Sequence, residues 1–125
     1  MGLARVLVVD DEREVRQVLQ EFLVSRGYDV VQAASGMDAL AILQAEKLDL
    51  VLLDLAMPGL DGMETLKRIT ALGAPVPVIM VTANADIGLT SKLLALGAAD
   101  YIPKPFDLDY LDQAVSIQVA ASRDS

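Results

Sequence analysis

Polar side chains follow four of the apolar stretches in this 125-residue sequence, and side chains of these chemical types could bind a phosphate group. These side chains are three carboxylates, a hydroxyl and an ammonium, contributed by Asp10, Asp11, Asp54, Thr82 and Lys104. A deprotonated carboxylate beside an apolar core costs free energy unless a nearby group compensates its charge. If the three carboxylates come together, we expect a proton or a cation to be shared among them.

The donor set indicates which cation this would be. The chain contains no histidine and no cysteine, so the candidate ligands are oxygen atoms. An all-oxygen cluster favours a hard ion, Mg²⁺ or Mn²⁺. With Lys104 as a further positive charge and Thr82 as a hydroxyl donor, such a site could neutralise the oxygens of a transferring phosphoryl group. A carboxylate can itself be the nucleophile and form an acyl phosphate.

Composition excludes several other kinds of function. The lack of cysteine and histidine excludes disulfides, thiol catalysis and imidazole catalysis, and it fits a reducing cytoplasm. Eighteen acidic and ten basic residues give a net charge of −8, which repels nucleic acid. No signal peptide is visible, and the apolar stretches are too short to span a bilayer. We therefore expect a cytoplasmic protein that by itself binds neither nucleic acid nor a membrane.

Five apolar stretches alternate with segments of helical periodicity. The predicted strands are RVLVV (5–9), DVVQA (29–33), LDLVLL (48–53), VPVIMV (76–81) and DYIP (100–103). The alternation predicts a (βα)5 domain with a parallel sheet and helices on both faces, because the connections are too short for other crossovers. Since the carboxyl ends of parallel strands line one crevice, the polar residues that follow the strands should converge there. The length fits a single domain, residues 1–125, with a frayed end over residues 119–125.

Periodic apolar residues and capping residues locate the five helices. The predicted buried face of the first helix consists of Val15, Val18, Leu19 and Phe22. Helical segments follow at 36–45, 62–72 and 86–96, and the last helix is marked by Leu108, Leu111 and Val115. The predicted N-caps are Ser35, Asp61 and Asp107, and the predicted C-caps are Gly27 and Gly97.

Four blocks of the sequence, in order, resemble the signature motifs of response regulator receiver domains of two-component systems. The blocks are VVDDE, LVLLDLAMPGLDG, VIMVTA and ADYIPKPF, and the resemblance runs from the first predicted strand to the last helix. It implies a flavodoxin-like fold, a doubly wound parallel sheet with strand order 2-1-3-4-5. It also implies a signalling switch rather than an enzyme, apart from self-phosphorylation and autodephosphorylation. Such a switch takes a phosphoryl group from a sensor histidine kinase or phosphotransfer protein and regulates a partner or an output domain.

The resemblance also assigns roles to the residues at the ends of the predicted strands. Asp54 would be the phosphoacceptor, and Lys104 would contact the phosphoryl oxygens. Mg²⁺ would be bound by Asp11, by Asp54 and by the backbone carbonyl of Ala56. Asp10 would support the metal site from just outside the direct ligands.

Further residues would connect the phosphoacceptor to a partner. The resemblance implies a cis peptide bond before Pro105 and a switch pair formed by Thr82 and Tyr101. We expect the output surface to be formed by the fourth helix, the fifth strand and the fifth helix. Thr82 could also be an ordinary strand residue, and Tyr101 a core aromatic with a solvated hydroxyl.

Two other functions stay open from the residues alone. A Mg²⁺-dependent phosphatase of the haloacid dehalogenase class would use Asp10 as its nucleophile and Glu12 as the acid two residues later. That class usually carries a cap insertion, for which this chain has no room. A pure interaction module would have kept the fold and lost the chemistry, but the complete set of acids, threonine and lysine argues against this.

Overall fold

The structure is a computed structural model that describes residues 3–57, 59–73, 75–83 and 87–123. Strands and helices alternate along the chain. They are β1 (Arg5–Val9), α1 (Arg13–Ser25), β2 (Asp29–Ala33), α2 (Gly36–Ala45), β3 (Leu50–Asp54), α3 (Gly62–Ala71), β4 (Val78–Thr82), α4 (Ile87–Ala95), β5 (Asp100–Pro103) and α5 (Leu108–Arg123).

The five strands form one parallel sheet in the order β2-β1-β3-β4-β5. This confirms the predicted flavodoxin-like fold, including its strand order. The predicted strand at 76–81 begins two residues later, at Val78. Pro75 and Pro77 precede it, and a proline has no N–H to donate to the ladder.

Helices cover both faces of the sheet, which explains why its strands are almost continuously apolar. Alternate residues of each strand enter two separate cores. In β1, Val6 and Val8 pack with residues of α1 and α5, whereas Leu7 and Val9 pack with residues of α2, α3 and α4. No helix among the described residues has the length and apolar character that a bilayer crossing requires.

The predicted caps agree with the structure. The Ser35 hydroxyl accepts a hydrogen bond from the Asp38 N–H (3.1 Å), and Asp61 Oδ1 accepts one from the Glu64 N–H (2.8 Å). Asp107 Oδ1 accepts one from the Asp109 N–H (2.9 Å). Gly27 and Gly97, which follow α1 and α4, have φ angles of +90° and +114°, which glycine adopts at little cost.

Two predictions about the helices are wrong. Val18 is 51% exposed, and Leu23 is buried instead, because the face of α1 that meets the sheet is centred on Leu19 and Leu23. Val18 lies about 100° around the helix from Leu19. Leu108, predicted as a marker of the last helix, is the first residue of α5, and its side chain is exposed. Of the predicted frayed end, residues 119–123 are helical and Val119 is buried in the core, whereas residues 124–125 lie outside the described part of the chain.

Candidate functional site

Backbone hydrogen bonds continue past the ends of the strands and fix the positions of the polar residues. The Asp10 N–H donates to the Ala33 carbonyl (3.2 Å), and the Lys104 N–H donates to the Thr82 carbonyl (2.8 Å). The Leu55 N–H, directly after Asp54, donates to the Val81 carbonyl (3.0 Å). The polar residues at the ends of β1, β3, β4 and β5 therefore lie along one edge of the sheet, as predicted.

Lys104 joins two buried carboxylates at this edge. Its Nζ lies 3.2 Å from Asp10 Oδ2 and 3.1 Å from Asp54 Oδ1. The two aspartates are only 2% and 4% exposed. The ammonium is thus the positive charge that offsets both carboxylates, and it can do so only because β1 and β3 are neighbours in the sheet.

The compensation is incomplete, as the pKa values show. Burial raises the pKa of Asp54, and the negative charge of Asp10 raises it further. Hydrogen bonds from Lys104 and from the Ala56 N–H oppose these effects but do not cancel them. For Lys104, burial lowers the pKa, but the hydrogen bonds and charges of Asp54 and Asp10 outweigh burial, so its pKa is raised. The lysine therefore stays charged, whereas ionised Asp54 is under electrostatic strain.

An acidic cluster lies beside this trio. Carboxylate oxygens of Asp10, Asp11 and Glu12 can all lie within 4.8 Å of one another, and within the described ranges this is the one such group of acids. Asp10 is buried, whereas Asp11 and Glu12 are exposed. The donors are all carboxylate oxygens, a set that fits a hard cation such as Mg²⁺. Asp10 and Asp11 were predicted as metal-site residues, whereas Glu12 was not.

The segment after Asp54 turns back sharply across the end of β3. The Gly62 N–H donates to the Leu55 carbonyl (3.0 Å), and an added Cβ at Gly62 would lie 2.2 Å from the Asp54 carbonyl oxygen. Glycine therefore lets the first turn of α3 press against the strand end. This close packing fixes the backbone of the segment that contains Ala56, which is itself exposed.

The predicted switch residues lie on adjacent strands. Thr82, the last residue of β4, is 2% exposed and lies opposite Pro103 of β5. Tyr101 lies opposite Met80 and packs, half-buried, against the core beneath α2, α3 and α4. The peptide bond between Lys104 and Pro105 is cis.

Sequence reasoning did not predict a role for Arg16 of α1, which contacts the backbone of the site. Its Nη1 donates to the Asp10 carbonyl oxygen (2.7 Å), and its Nε donates to Gln32 Oε1 (3.0 Å). Helical periodicity places Arg16 on α1 but gives no sign of a contact with a backbone carbonyl at the end of β1. Only the tertiary packing of α1 against the sheet creates this contact.

Known proteins similar to this chain agree with the geometry. The family model described as the response regulator receiver domain matches residues 6–116. Sporulation initiation phosphotransferase F of Bacillus subtilis is 40% identical over 111 residues, covering 89% of this chain and 90% of that protein. Transcriptional regulatory protein ZraR of Salmonella typhimurium is 39% identical over 124 residues, covering 99% of this chain and 28% of that longer protein.

Solved structures give the same result. Response regulator protein TrrA of Thermotoga maritima, solved in complex with Mg²⁺-BeF, superposes with a TM-score of 0.85 at 34% identity. The match covers 93% of this chain and 99% of that one. The resemblance predicted from the four sequence blocks is therefore confirmed.

Replacing Asp54 with asparagine should raise the free energy of unfolding at neutral pH when metal ions are chelated. Because the pKa of Asp54 is raised on folding, the folded state binds more protons than the unfolded state between the ordinary carboxyl pKa and the folded value. Wild-type stability therefore falls as the pH rises through that window, and the neutral amide removes this loss. We expect a gain on the order of 1 kcal/mol at pH 7.

Urea denaturation in EDTA would measure this gain, which should shrink as the pH is lowered and wild-type Asp54 becomes protonated. The exposed Asp109 provides a matched control, since Asp109→Asn makes the same chemical change away from the site. A loss of stability in Asp54→Asn at pH 7, or an equal gain in the control, would contradict the interpretation.

Proposed function

The chain belongs to the response regulator receiver domain family, whose members are signalling switches of two-component systems, and we propose that it accepts a phosphoryl group on Asp54 and transmits the change to a partner. The donor would be a phosphohistidine on a sensor kinase or phosphotransfer protein. Residues 1–125 would act as one domain in this function.

The contact between Lys104 and Asp54 carries this proposal. Lys104 Nζ lies 3.1 Å from Asp54 Oδ1, so it could donate a hydrogen bond to an oxygen of a phosphoryl group bound to that aspartate. Asp10 has partners of the same two kinds, since its Oδ1 accepts the Glu12 N–H (2.8 Å) and its Oδ2 contacts Lys104, so the choice of Asp54 rests on its position in the family motif and on its raised pKa. Asp54 is also the buried carboxylate whose raised pKa marks an uncompensated charge.

The residues around Asp54 would also hold a divalent cation. Carboxylates of Asp11 and Asp54 and the Ala56 carbonyl would be its ligands, with Asp10 supporting them. Glu12, close to Asp10 and Asp11, would add negative charge to the same cluster. When bound, Mg²⁺ would neutralise charge on the phosphoryl oxygens and so favour transfer.

In the proposed reaction, an oxygen of the ionised Asp54 carboxylate attacks the phosphorus of the donor. A new O–P bond forms as the bond from phosphorus to the imidazole nitrogen breaks, and the electron pair of that bond stays with the nitrogen. Lys104 would shift its hydrogen bond toward a phosphoryl oxygen, and the Thr82 hydroxyl would donate to another. Attack by water on the same phosphorus would later regenerate the carboxylate and release inorganic phosphate, a reaction of the protein on itself.

The phosphatase alternative, with Asp10 as nucleophile, finds less support. Membership of a family of signalling switches argues against turnover of free phosphate esters.

Thr82 and Tyr101 would connect the phosphoryl group to the output surface. A donor bond from the Thr82 hydroxyl would draw the end of β4 inward, and residues 84–86 between it and α4 lie outside the described part of the chain. Tyr101, which packs half-buried against the core that contains Leu93 and Ala98, could then turn inward. The output surface would be α4, β5 and α5, where Ile87, Leu94 and Tyr110 expose apolar area for a partner.

Incubation with acetyl phosphate and Mg²⁺ should phosphorylate the wild-type protein at one residue, Asp54. Asp54→Asn should give no adduct in intact-mass spectrometry, because the amide is not a nucleophile. Asp61→Asn is a matched control from the same segment: it makes the same substitution, retains an N-cap residue and should be phosphorylated normally. An adduct that persisted on Asp54→Asn would place the nucleophile elsewhere, most plainly at Asp10.

Thr82→Ala should separate phosphorylation from switching. The variant should still react at Asp54, because its nucleophile and lysine are intact, but should lose most of the conformational response. Amide NMR shifts of residues 83–101, with and without beryllofluoride, would measure that response. Thr82→Ser retains the hydroxyl and should respond as the wild type does. If Thr82→Ala shifts as fully as Thr82→Ser, the proposed coupling is wrong.

A further inference from the structure

Every polar group of Asp10 has a partner in the structure. Its N–H donates to the Ala33 carbonyl, and its Oδ1 accepts the Glu12 N–H. Its Oδ2 contacts Lys104, and its backbone carbonyl accepts a hydrogen bond from Arg16. The carbonyl of Asp10 belongs to the peptide that joins Asp10 to Asp11, so the contact with Arg16 lies at the point where the acidic turn leaves β1.

The guanidinium of Arg16 is itself hydrogen-bonded to Gln32, which in turn is hydrogen-bonded to Gln20. Arginine has only donors, so the Gln32 side-chain oxygen must face Arg16 Nε, 3.0 Å away. The Gln32 amide nitrogen then donates to the side-chain oxygen of Gln20. These hydrogen bonds form a chain that runs from Gln20 of α1 to Gln32 of β2, then to Arg16 of α1, and ends at the Asp10 carbonyl.

Arg16 donates to neutral oxygens rather than to carboxylates. Within the described residues, Arg16 forms no ion pair with a carboxylate at 4 Å or less, although it contacts the backbone of the Asp10–Glu12 cluster. A cation that served only to offset the acids would be expected to contact their oxygens. Arg16 instead donates from Nε and Nη1 of its planar guanidinium to two neutral oxygens, a geometry that lysine cannot reproduce.

We propose that Arg16 is a positioning residue, which holds the Asp10–Glu12 turn in the arrangement that binds a divalent cation. The proposal rests on the proposed function, because it concerns the same acidic cluster. For the affinity of the site for a cation, replacing Arg16 should have the opposite effect under this proposal from the effect expected if Arg16 acted only through its charge. Removing a positive charge near the acids should by itself strengthen cation binding, whereas losing the contact that positions them should weaken it.

Arg16→Gln and Arg13→Gln distinguish the two roles. Both remove one positive charge from the first turn of α1, but Arg13 is exposed and makes no side-chain hydrogen bond among the described residues. Titration with Mg²⁺, followed by amide NMR shifts, should show binding weakened about tenfold in Arg16→Gln. Arg13→Gln should change affinity less than about twofold, and toward tighter binding.

Hydrogen exchange provides a readout that needs no metal. In EDTA, the Glu12 amide, which donates to Asp10 Oδ1, should exchange about tenfold faster in Arg16→Gln than in the wild type or in Arg13→Gln. Gln32→Leu leaves Arg16 in place but removes its support, and should give a smaller change in the same direction. This variant also serves if Arg16→Gln does not fold.

Equal effects of the two arginine variants, or tighter Mg²⁺ binding in Arg16→Gln, would overturn the proposal, as would unchanged Glu12 exchange. Failure of the wild type to respond to Mg²⁺ would instead count against the proposed function. In that case faster Glu12 exchange in Arg16→Gln and Gln32→Leu would still support the positioning role.

Discussion

Two buried carboxylates and one lysine form the interaction on which the rest of this site depends. Asp10 and Asp54 end neighbouring strands in the middle of the sheet, and Lys104 contacts both. Burial makes each negative charge costly, and one ammonium cannot cancel two of them. The excess negative charge favours a cation at this site, and in the proposed function Asp54 is the carboxylate that reacts.

The fold supplies the stiffness that keeps these charges together. Both faces of the sheet are covered, so the strands cannot move apart to relieve the repulsion without exposing their cores. The backbone ladder continues one residue past β1, β3 and β5, and the close approach of Gly62 fixes the segment after Asp54. Strain at the site is therefore balanced by packing elsewhere in the domain.

Much of this arrangement follows from the sequence. Parallel strands place their carboxyl ends at one edge, so apolar stretches followed by Asp10, Asp54, Thr82 and Lys104 were enough to predict their convergence. Capping residues predicted the helix starts for a similar reason, since Ser35 and Asp61 act on residues three positions away. These are local rules, or rules of topology, and both can be applied to a sequence.

The features that were missed depend on how helices dock. The rotation of α1 about its axis decides that Leu23 is buried and Val18 exposed. The spacing of the apolar residues in α1 is compatible with burial of either residue. The same docking brings Arg16 to the Asp10 carbonyl. Neither could be read from residue spacing, because each is set by side-chain packing between elements distant in sequence.

Titration of the Asp54 side-chain carboxyl carbon by ¹³C NMR, in EDTA, tests the central claim most directly. Buried next to Asp10, Asp54 should show a pKa above the ordinary aspartate range, and Lys104→Met should raise this pKa further because the opposing charge is gone. A pKa of Asp54 within or below the ordinary range, or one that does not respond to Lys104→Met, would contradict the account.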